Sequence, residues 1–202
     1  MNKTEDITFS VPRFLSIIEL MYLFEAIKAT DAHFVELLKN ATSSADHNKI
    51  GNINATRQSL LRAAFIASYG IVEQNLDEIV KMKGAKDNVT VSPSDLRDSG
   101  IKRSLTYAKK VLKINIDENV QHWQELFEIQ AIRNHLVHYG AGFDESDDHE
   151  KRFKKFSVSK YVTLRPEVCF TLIQIETIFN LYVKCVHDFS NFNGVVGTIS
   201  EP

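Results

Sequence analysis

Two long segments of the chain, 11–40 and 53–83, carry apolar residues at spacings of three and four. This spacing is the period of an α-helix with one buried face. Glycine and proline, which end helices and form tight turns, occur only 8 and 4 times in 202 residues. The pattern therefore predicts a few long helices, and it disfavours a sandwich or barrel, which needs frequent turns.

The remaining elements follow from local signals. Ser92 and Pro93 are typical of a helix start, and Gly100 is a candidate break between short helices over 94–113. Further helices are expected over 118–139 and from Pro166 to about residue 189. The connections are expected to be a polar loop over 41–52, a charged loop over 143–152 and a short β-hairpin over 153–165.

These elements predict an all-α fold, a bundle of about five helices with a small β-hairpin insertion before the last helix. The chain shows no internal repeat and no Pro/Gly/Ser-rich linker. We therefore expect one domain over 1–202, with 190–202 as a frayed tail.

The charge balance limits the function classes. Lys and Arg total 24 against 26 Asp and Glu, a net charge of -2, which excludes a protein that coats nucleic acid by bulk charge. No secretory signal or membrane-spanning run is visible, so no membrane contact is expected. Cys169 and Cys185 are expected to be free thiols. Together these features predict a cytoplasmic protein.

The helix predicted over 118–139 ends in an unusual polar group. Its apolar stripe is formed by Val120, Trp123, Phe127 and Ala131. On a helical wheel, Asn134 and His138 fall about 40° apart on that same stripe, and Arg133 about 100° away from it. Buried polar groups need partners. These side chains are therefore expected either to satisfy one another or to line a cleft.

Arg133, Asn134 and His138 form an Arg-x4-His pattern with a polar residue directly after the arginine. This pattern, near the end of a late helix in an all-helical chain, resembles the signature of HEPN domains (higher eukaryotes and prokaryotes nucleotide-binding). The resemblance covers most of the chain by architecture and six residues by motif. It implies a HEPN-like bundle with Arg133, Asn134 and His138 as catalytic residues.

The resemblance also implies an activity. Family members with this motif are typically metal-independent endoribonucleases that use no cofactor and form homodimers in which two motifs share one cleft. Several act as toxins or as abortive-infection effectors, so the resemblance implies an RNA substrate and an antitoxin or other regulatory partner.

The chemistry agrees with these residue types. Cleavage by the ribose 2′-OH needs a base, an acid and a cation for the phosphorane. Histidine can transfer protons near neutral pH, and a guanidinium fits phosphate oxygens. Asn134 would orient His138 or contact a phosphate oxygen. One histidine is too few for both proton transfers, and a symmetric dimer would supply the second.

Three further residues are candidates for supporting roles. Glu73 is expected on the edge of the second helix's buried stripe, and family members often place an acidic residue there; Asn75 is a weaker candidate. Tyr139 follows the histidine at once, whereas the tyrosine modified in some family toxins stands one residue later, where this chain has Gly140. His135 and His138 also spell HxxH, a potential metal pair.

Two other interpretations stay open at this stage. The chain could be a non-catalytic helical module that binds a nucleotide or a partner protein. The motif could also be an internal hydrogen-bonded cluster in a structural dimer, an interpretation that a fully buried His138 far from any symmetry-related copy would support.

Overall fold

The structure is a computed structural model that describes residues 11–144 and 146–192. Within them it contains six α-helices, one 3₁₀ turn and one antiparallel two-stranded hairpin. The elements are α1 (Val11–Ser43), α2 (His47–Lys86), the 3₁₀ turn (Pro93–Asp95), α3 (Gly100–Lys110), α4 (Gln121–Tyr139), α5 (Asp147–Ser157), β1 (Thr163–Leu164), β2 (Val168–Cys169) and α6 (Leu172–Phe192). The predicted all-α bundle with a small hairpin before the last helix is confirmed, with one more helix than expected.

The centre of the bundle is α2, which packs against α1, α3, α4 and α6. Every residue of the stripe predicted on this helix is buried; the stripe consists of Leu61, Ala64, Phe65, Ser68, Val72, Leu76 and Ile79. Each large apolar side chain buried in this way stabilises the fold by about 1.5–3 kcal/mol. The buried stripe therefore fixes which face of α2 points into the core.

The connection between α1 and α2 is shorter than predicted. Only residues 44–46 are non-helical, so the expected polar loop over 41–52 is wrong over most of its length. Asp46 caps α2, because its side chain accepts a hydrogen bond from the Lys49 N–H at 3.0 Å. Ala45 takes a positive φ of 52°. The cap lets the polar sequence after it continue as helix.

The segment before α3 agrees with its sequence signals. Ser92 and Asp95 form a capping box, in which the Ser92 N–H donates to Asp95 Oδ2 at 2.8 Å. Pro93 begins the 3₁₀ turn. Gly100 has φ +62° and is the first residue of α3, which confirms it as the break between the two short helical pieces.

The region after α4 differs from the prediction. The expected charged loop over 143–152 is largely helical, because α5 begins at residue 147. Ser146 is its N-cap, and the Ser146 side chain accepts a hydrogen bond from the His149 N–H at 3.4 Å. Residues 153–157 belong to this helix, so the hairpin expected over 153–165 is displaced to 163–169. The two strands pair Thr163 with Cys169 and Leu164 with Val168.

The start of the last helix was also predicted too early. Pro166 lies in the turn between β1 and β2, and it does not open α6. Thr171 and Gln174 determine the true start: the Thr171 N–H donates to Gln174 Oε1 at 2.9 Å, and the Gln174 N–H donates to Thr171 Oγ1 at 3.2 Å. α6 continues to Phe192, and residues 193–202 of the predicted frayed tail lie outside the described part of the chain.

Candidate functional site

The motif occupies the last two turns of α4. The helix ends at Tyr139, and Gly140 follows as its C-cap with φ +78°, a conformation that glycine adopts without strain. The Gly140 N–H donates to the carbonyl of Leu136 at 3.2 Å. His138 therefore lies at a helix end that the sequence itself terminates.

The buried face of α4 differs from the predicted stripe. The side chains that enter the core are those of His122, Trp123, Leu126, Ile129, Ile132, His135 and Leu136. Val120 is instead 43% exposed. The prediction that Asn134 and His138 share the core-facing stripe is wrong, because Asn134 is half-buried and His138 is exposed. An internal cluster built on a buried His138 is thereby contradicted.

Arg133 is held by two neighbours. Its guanidinium carbon lies 5.3 Å from the centroid of the Tyr69 ring on α2, a cation–π geometry. Its Nη1 donates to Asn134 Oδ1 at 3.0 Å. Its Nε is buried and has no hydrogen-bond partner among the described residues. Arg133 is thus positioned by an aromatic ring and an amide, and its Nε–H is left without a partner among the described residues.

Glu73 lies in the same neighbourhood. A Cβ added at Gly100 would lie 3.5 Å from Glu73 Oε1 and 3.0 Å from Gln130 Nε2, so α2, α3 and α4 converge there. Burial raises the pKa of Tyr69 far above its usual range, Glu73 raises it further, and Arg133 opposes them. Glu73 therefore flanks Tyr69 and acts on the motif's surroundings through charge. Asn75 is buried on the core face of α2.

His135 is a core residue. It is 1% exposed, and its Nε2 lies 3.1 Å from the carbonyl oxygen of Gly142. Its ring stacks on Phe143 at 4.4 Å between centroids. Burial lowers the pKa of His135; the Gly142 carbonyl opposes this, and His149 lowers the pKa further. These contacts show that His135 packs against the segment that follows α4.

Tyr139 joins α4 to α5. The Arg152 guanidinium lies 4.1 Å from the Tyr139 ring centroid, and Arg152 Nη2 donates to the Tyr139 hydroxyl at 3.2 Å. The Asp144 N–H donates to His149 Nδ1 at 2.8 Å in the same junction. Arg152, Phe143 and His149 were not predicted as neighbours of the motif, because their proximity depends on α5 folding back against the end of α4.

The side chain of His138 is exposed at the end of α4. Its side chain makes no hydrogen bond or ion pair with any residue that the structure describes, and its nearest ring contact is Tyr139 at 6.4 Å between centroids. The structure thus brings Arg133 and Asn134 together, places Glu73 beside Tyr69, and leaves His138 exposed at the helix end. Tyr69 is a further neighbour of Arg133 that the sequence did not predict, although it stands four residues before Glu73, one helical turn away on α2.

The described residues contain neither a metal-binding cluster nor a membrane-spanning helix. No group of three or more His, Cys, Asp or Glu side chains in that part of the chain is arranged to hold a metal ion. None of the described helices combines the length and the apolar character that crossing a membrane requires.

Comparison of the chain with family models, with curated proteins and with solved structures finds no match.

Proposed function

We propose that this chain is a metal-independent endoribonuclease of the HEPN type, with Arg133, Asn134 and His138 at a site completed by a second copy. The observation that carries the proposal is an exposed imidazole at a helix end, which makes no hydrogen bond or ion pair with the described residues and stands five residues after an anchored guanidinium. A histidine placed only for packing would be buried, as His135 is.

The geometry of Arg133 supports phosphate binding. The Tyr69 ring and Asn134 Oδ1 fix its guanidinium, and its buried Nε–H has no partner among the described residues. Arg133 is only half-buried, and its Nη2 makes no hydrogen bond with a described residue, so Nη2 can donate to an acceptor that comes from outside the chain. Phosphate oxygens are strong acceptors for a guanidinium.

The proposed reaction is an intramolecular transesterification. The 2′-oxygen attacks the adjacent phosphorus and loses its proton to an imidazole, and the P–O5′ bond breaks as the leaving oxygen gains a proton from an imidazolium. The products are a 2′,3′-cyclic phosphate and a 5′-hydroxyl. Arg133 would stabilise the charge that develops on the phosphorane.

This reaction explains the need for a second copy. Each chain offers one motif histidine, and cleavage uses one base and one acid. A two-fold axis beside the end of α4 would bring two His138 and two Arg133 side chains to one scissile bond. The exposure of His138 and Tyr139 leaves this helix end open to a partner.

The decisive experiment is RNA cleavage by purified variants. His138→Ala and Arg133→Ala are expected to lose cleavage by at least about 100-fold while keeping the wild-type circular dichroism spectrum. Matched controls are His33→Ala and Arg97→Ala, which remove an exposed histidine and an exposed arginine elsewhere and should cleave normally. EDTA should leave the rate unchanged. Cleavage that persists in both motif variants would refute the proposal.

A mixing experiment tests the composite site. Excess His138→Ala protein is expected to lower wild-type activity, because mixed dimers contain only one motif histidine. His33→Ala protein in the same excess serves as the control for dilution. If the His138→Ala protein has no effect while co-purification of differently tagged chains shows mixed dimers, each chain works alone.

The biological role as a toxin or phage-defence effector belongs to the same proposal. Expression of the wild-type chain should slow growth of a bacterial host, and His138→Ala should relieve the effect. RNA binding without cyclic-phosphate products, or equal growth of both strains, would favour a non-catalytic helical module that binds a nucleotide or a partner protein.

A further inference from the structure

A polar cleft lies between the N-terminal half of α2 and the β1–β2 hairpin, with a volume of about 430 Å³. This size is within the range of about 300–1,000 Å³ that is typical of small-molecule sites. The lining side chains with hydrogen-bond donors are Asn54, Arg57, Gln58, Thr163, Arg165 and Thr171. The cleft is therefore a candidate binding site of polar character.

The walls of the cleft are fixed by two tethers from α2. Gln58 pairs with the backbone of Phe170 in both directions: its Nε2 donates to the carbonyl at 3.0 Å, and the Phe170 N–H donates to its Oε1 at 2.9 Å. Arg62 donates to Glu167 Oε2 at 2.7 Å and to the Val168 carbonyl at 3.2 Å. The hairpin is thus held over α2, and hydrogen bonds within the chain fix the walls of the cleft.

Among the described residues, the charges around the cleft leave the Arg165 guanidinium without an ion-pair partner. Arg57 is bound by Asp31 through its Nε at 2.6 Å and its Nη2 at 2.9 Å, and Arg62 is bound by Glu167. Arg165 is exposed and its side chain makes no hydrogen bond or ion pair with the described residues. The cleft therefore carries an excess positive charge on its hairpin side.

The unused hydrogen-bonding groups are mostly donors. Arg57 keeps its Nη1, and Asn54 makes no side-chain hydrogen bond in the described part of the chain. Thr163 accepts from Gln174 Nε2 at 3.2 Å, so its hydroxyl hydrogen can point elsewhere. The Glu167 carboxylate is already engaged by Arg62. A ligand that suits this cleft must be rich in acceptors.

We propose that the cleft binds a small organic anion: one phosphate or carboxylate group on a polar body no larger than a nucleoside monophosphate. Arg165 contacts the oxyanion, since a guanidinium fits both oxyanions with two parallel hydrogen bonds. Asn54, Thr163 and Arg57 Nη1 donate to the rest of the ligand.

The cleft is separate from the Arg133–His138 motif. Gln58 and Glu73 lie on the same helix, about four turns apart, which is roughly 22 Å along its axis. Neither Arg133 nor His138 lines the cleft. The proposal therefore does not depend on RNA cleavage, and an Arg165 variant should cleave RNA as the wild type does.

The test is calorimetric titration of the full chain with AMP, succinate and inorganic phosphate, and with adenosine as the uncharged control. We expect AMP or succinate to bind, and adenosine to bind at least about tenfold more weakly than AMP. Arg165→Gln should weaken anion binding by about tenfold or more, whereas Arg97→Gln, at an exposed arginine outside the cleft, should not change it. Equal binding by Arg165→Gln and the wild type would overturn the proposal, and so would a lack of binding by every anion.

Two further experiments test where the anion binds. Asn54→Ala replaces an exposed helical residue with a strong helix former, so weaker binding by this variant cannot result from unfolding. Anion binding that survives Arg165→Gln but is lost in Arg133→Ala would place the ligand at the motif and refute this site.

Discussion

The guanidinium carbon of Arg133 lies 5.3 Å from the centroid of the Tyr69 ring, so an aromatic residue of α2 holds the arginine of the α4 motif. Tyr69 is 1% exposed, and the Arg133 guanidinium lies over its ring. The ring, and not the hydroxyl, therefore contributes the contact.

This relationship predicts different results for two substitutions of Tyr69. Tyr69→Phe should keep RNA cleavage near the wild-type rate, because the cation–π contact remains. Tyr69→Leu should lower kcat/KM by about 2- to 30-fold, the equivalent of a contact worth about 0.5–2 kcal/mol. Rates should be compared at a temperature where urea unfolding shows both variants fully folded. Equal rates for the two variants would show that the ring does not position Arg133.

His135 and His138, near the C-terminal end of α4, should differ in how much they contribute to the free energy of unfolding. His138→Ala should change the free energy of unfolding by less than about 0.5 kcal/mol, because its side chain is exposed and unpartnered among the described residues. His135→Ala should cost about 2–4 kcal/mol, because it removes a buried ring that stacks on Phe143 and contacts the Gly142 carbonyl. Urea denaturation measures both. A large loss of stability in His138→Ala would contradict the exposed placement of this residue.

The long helices could be predicted from sequence because their apolar residues recur over many turns. The phase of α4 was harder to predict, since its buried face includes the histidines His122 and His135, whereas Val120 is apolar but exposed. An apolar pattern cannot identify a buried histidine. The predicted stripe was therefore rotated toward Asn134 and His138.

α5 was missed for a different reason. Its segment is so strongly charged that it was interpreted as a solvated loop, although Ser146 followed by acidic residues is a helix-start signal. The contact between Tyr69 and Arg133 could not be predicted at all, because it joins two helices whose relative rotation is set by packing. Local patterns therefore predicted the helices better than the surroundings of the motif.

Acid should destabilise the fold through its buried histidines. Burial lowers the pKa values of both His122 and His135 in the folded chain. In the unfolded chain a histidine has a pKa of about 6.5. Just below that pH the unfolded chain binds protons at these two residues, whereas the folded chain keeps them neutral. Their contribution to the free energy of unfolding is therefore present above about pH 6.5, and it is lost as the pH falls toward the lowered folded-state pKa values. Urea midpoints at pH 7.5 and pH 5.5 should show the decrease. His135→Phe should reduce it, and a midpoint that rises on acidification would contradict the assignment.

The ion pair between Asp31 and Arg57 should matter more than exposed pairs. The side chains are 5% and 22% exposed, and two hydrogen bonds join them. Asp31→Ala should cost about 1.5–3 kcal/mol of unfolding free energy, because it removes two charge-assisted hydrogen bonds from the partly buried Arg57 guanidinium. Glu25→Ala is the matched control on the same helix: Glu25 is 65% exposed and pairs with Lys28, so its loss should cost less than about 1 kcal/mol. Equal costs would show that the Asp31 pair is solvated.

Two glycines of α2 should respond to alanine in opposite directions. A Cβ at Gly84 would lie 2.6 Å from the Tyr107 hydroxyl oxygen, which itself donates to the Val91 carbonyl at 2.6 Å and cannot move away without losing that bond. Gly84→Ala should therefore destabilise the fold by about 1–3 kcal/mol. At Gly70 a Cβ would have no neighbour within 4 Å, and Gly70→Ala should stabilise the helix by up to about 1 kcal/mol.

The cause of the Gly84 effect can be isolated by a double-mutant cycle with Tyr107→Phe. Removing the hydroxyl takes away the atom that the new Cβ would meet, so Gly84→Ala should cost less in the Tyr107→Phe background than in the wild type. Thermal or urea unfolding of the four proteins provides the cycle. An equal cost in both backgrounds would mean that the strain arises elsewhere than at the contact between α2 and Tyr107.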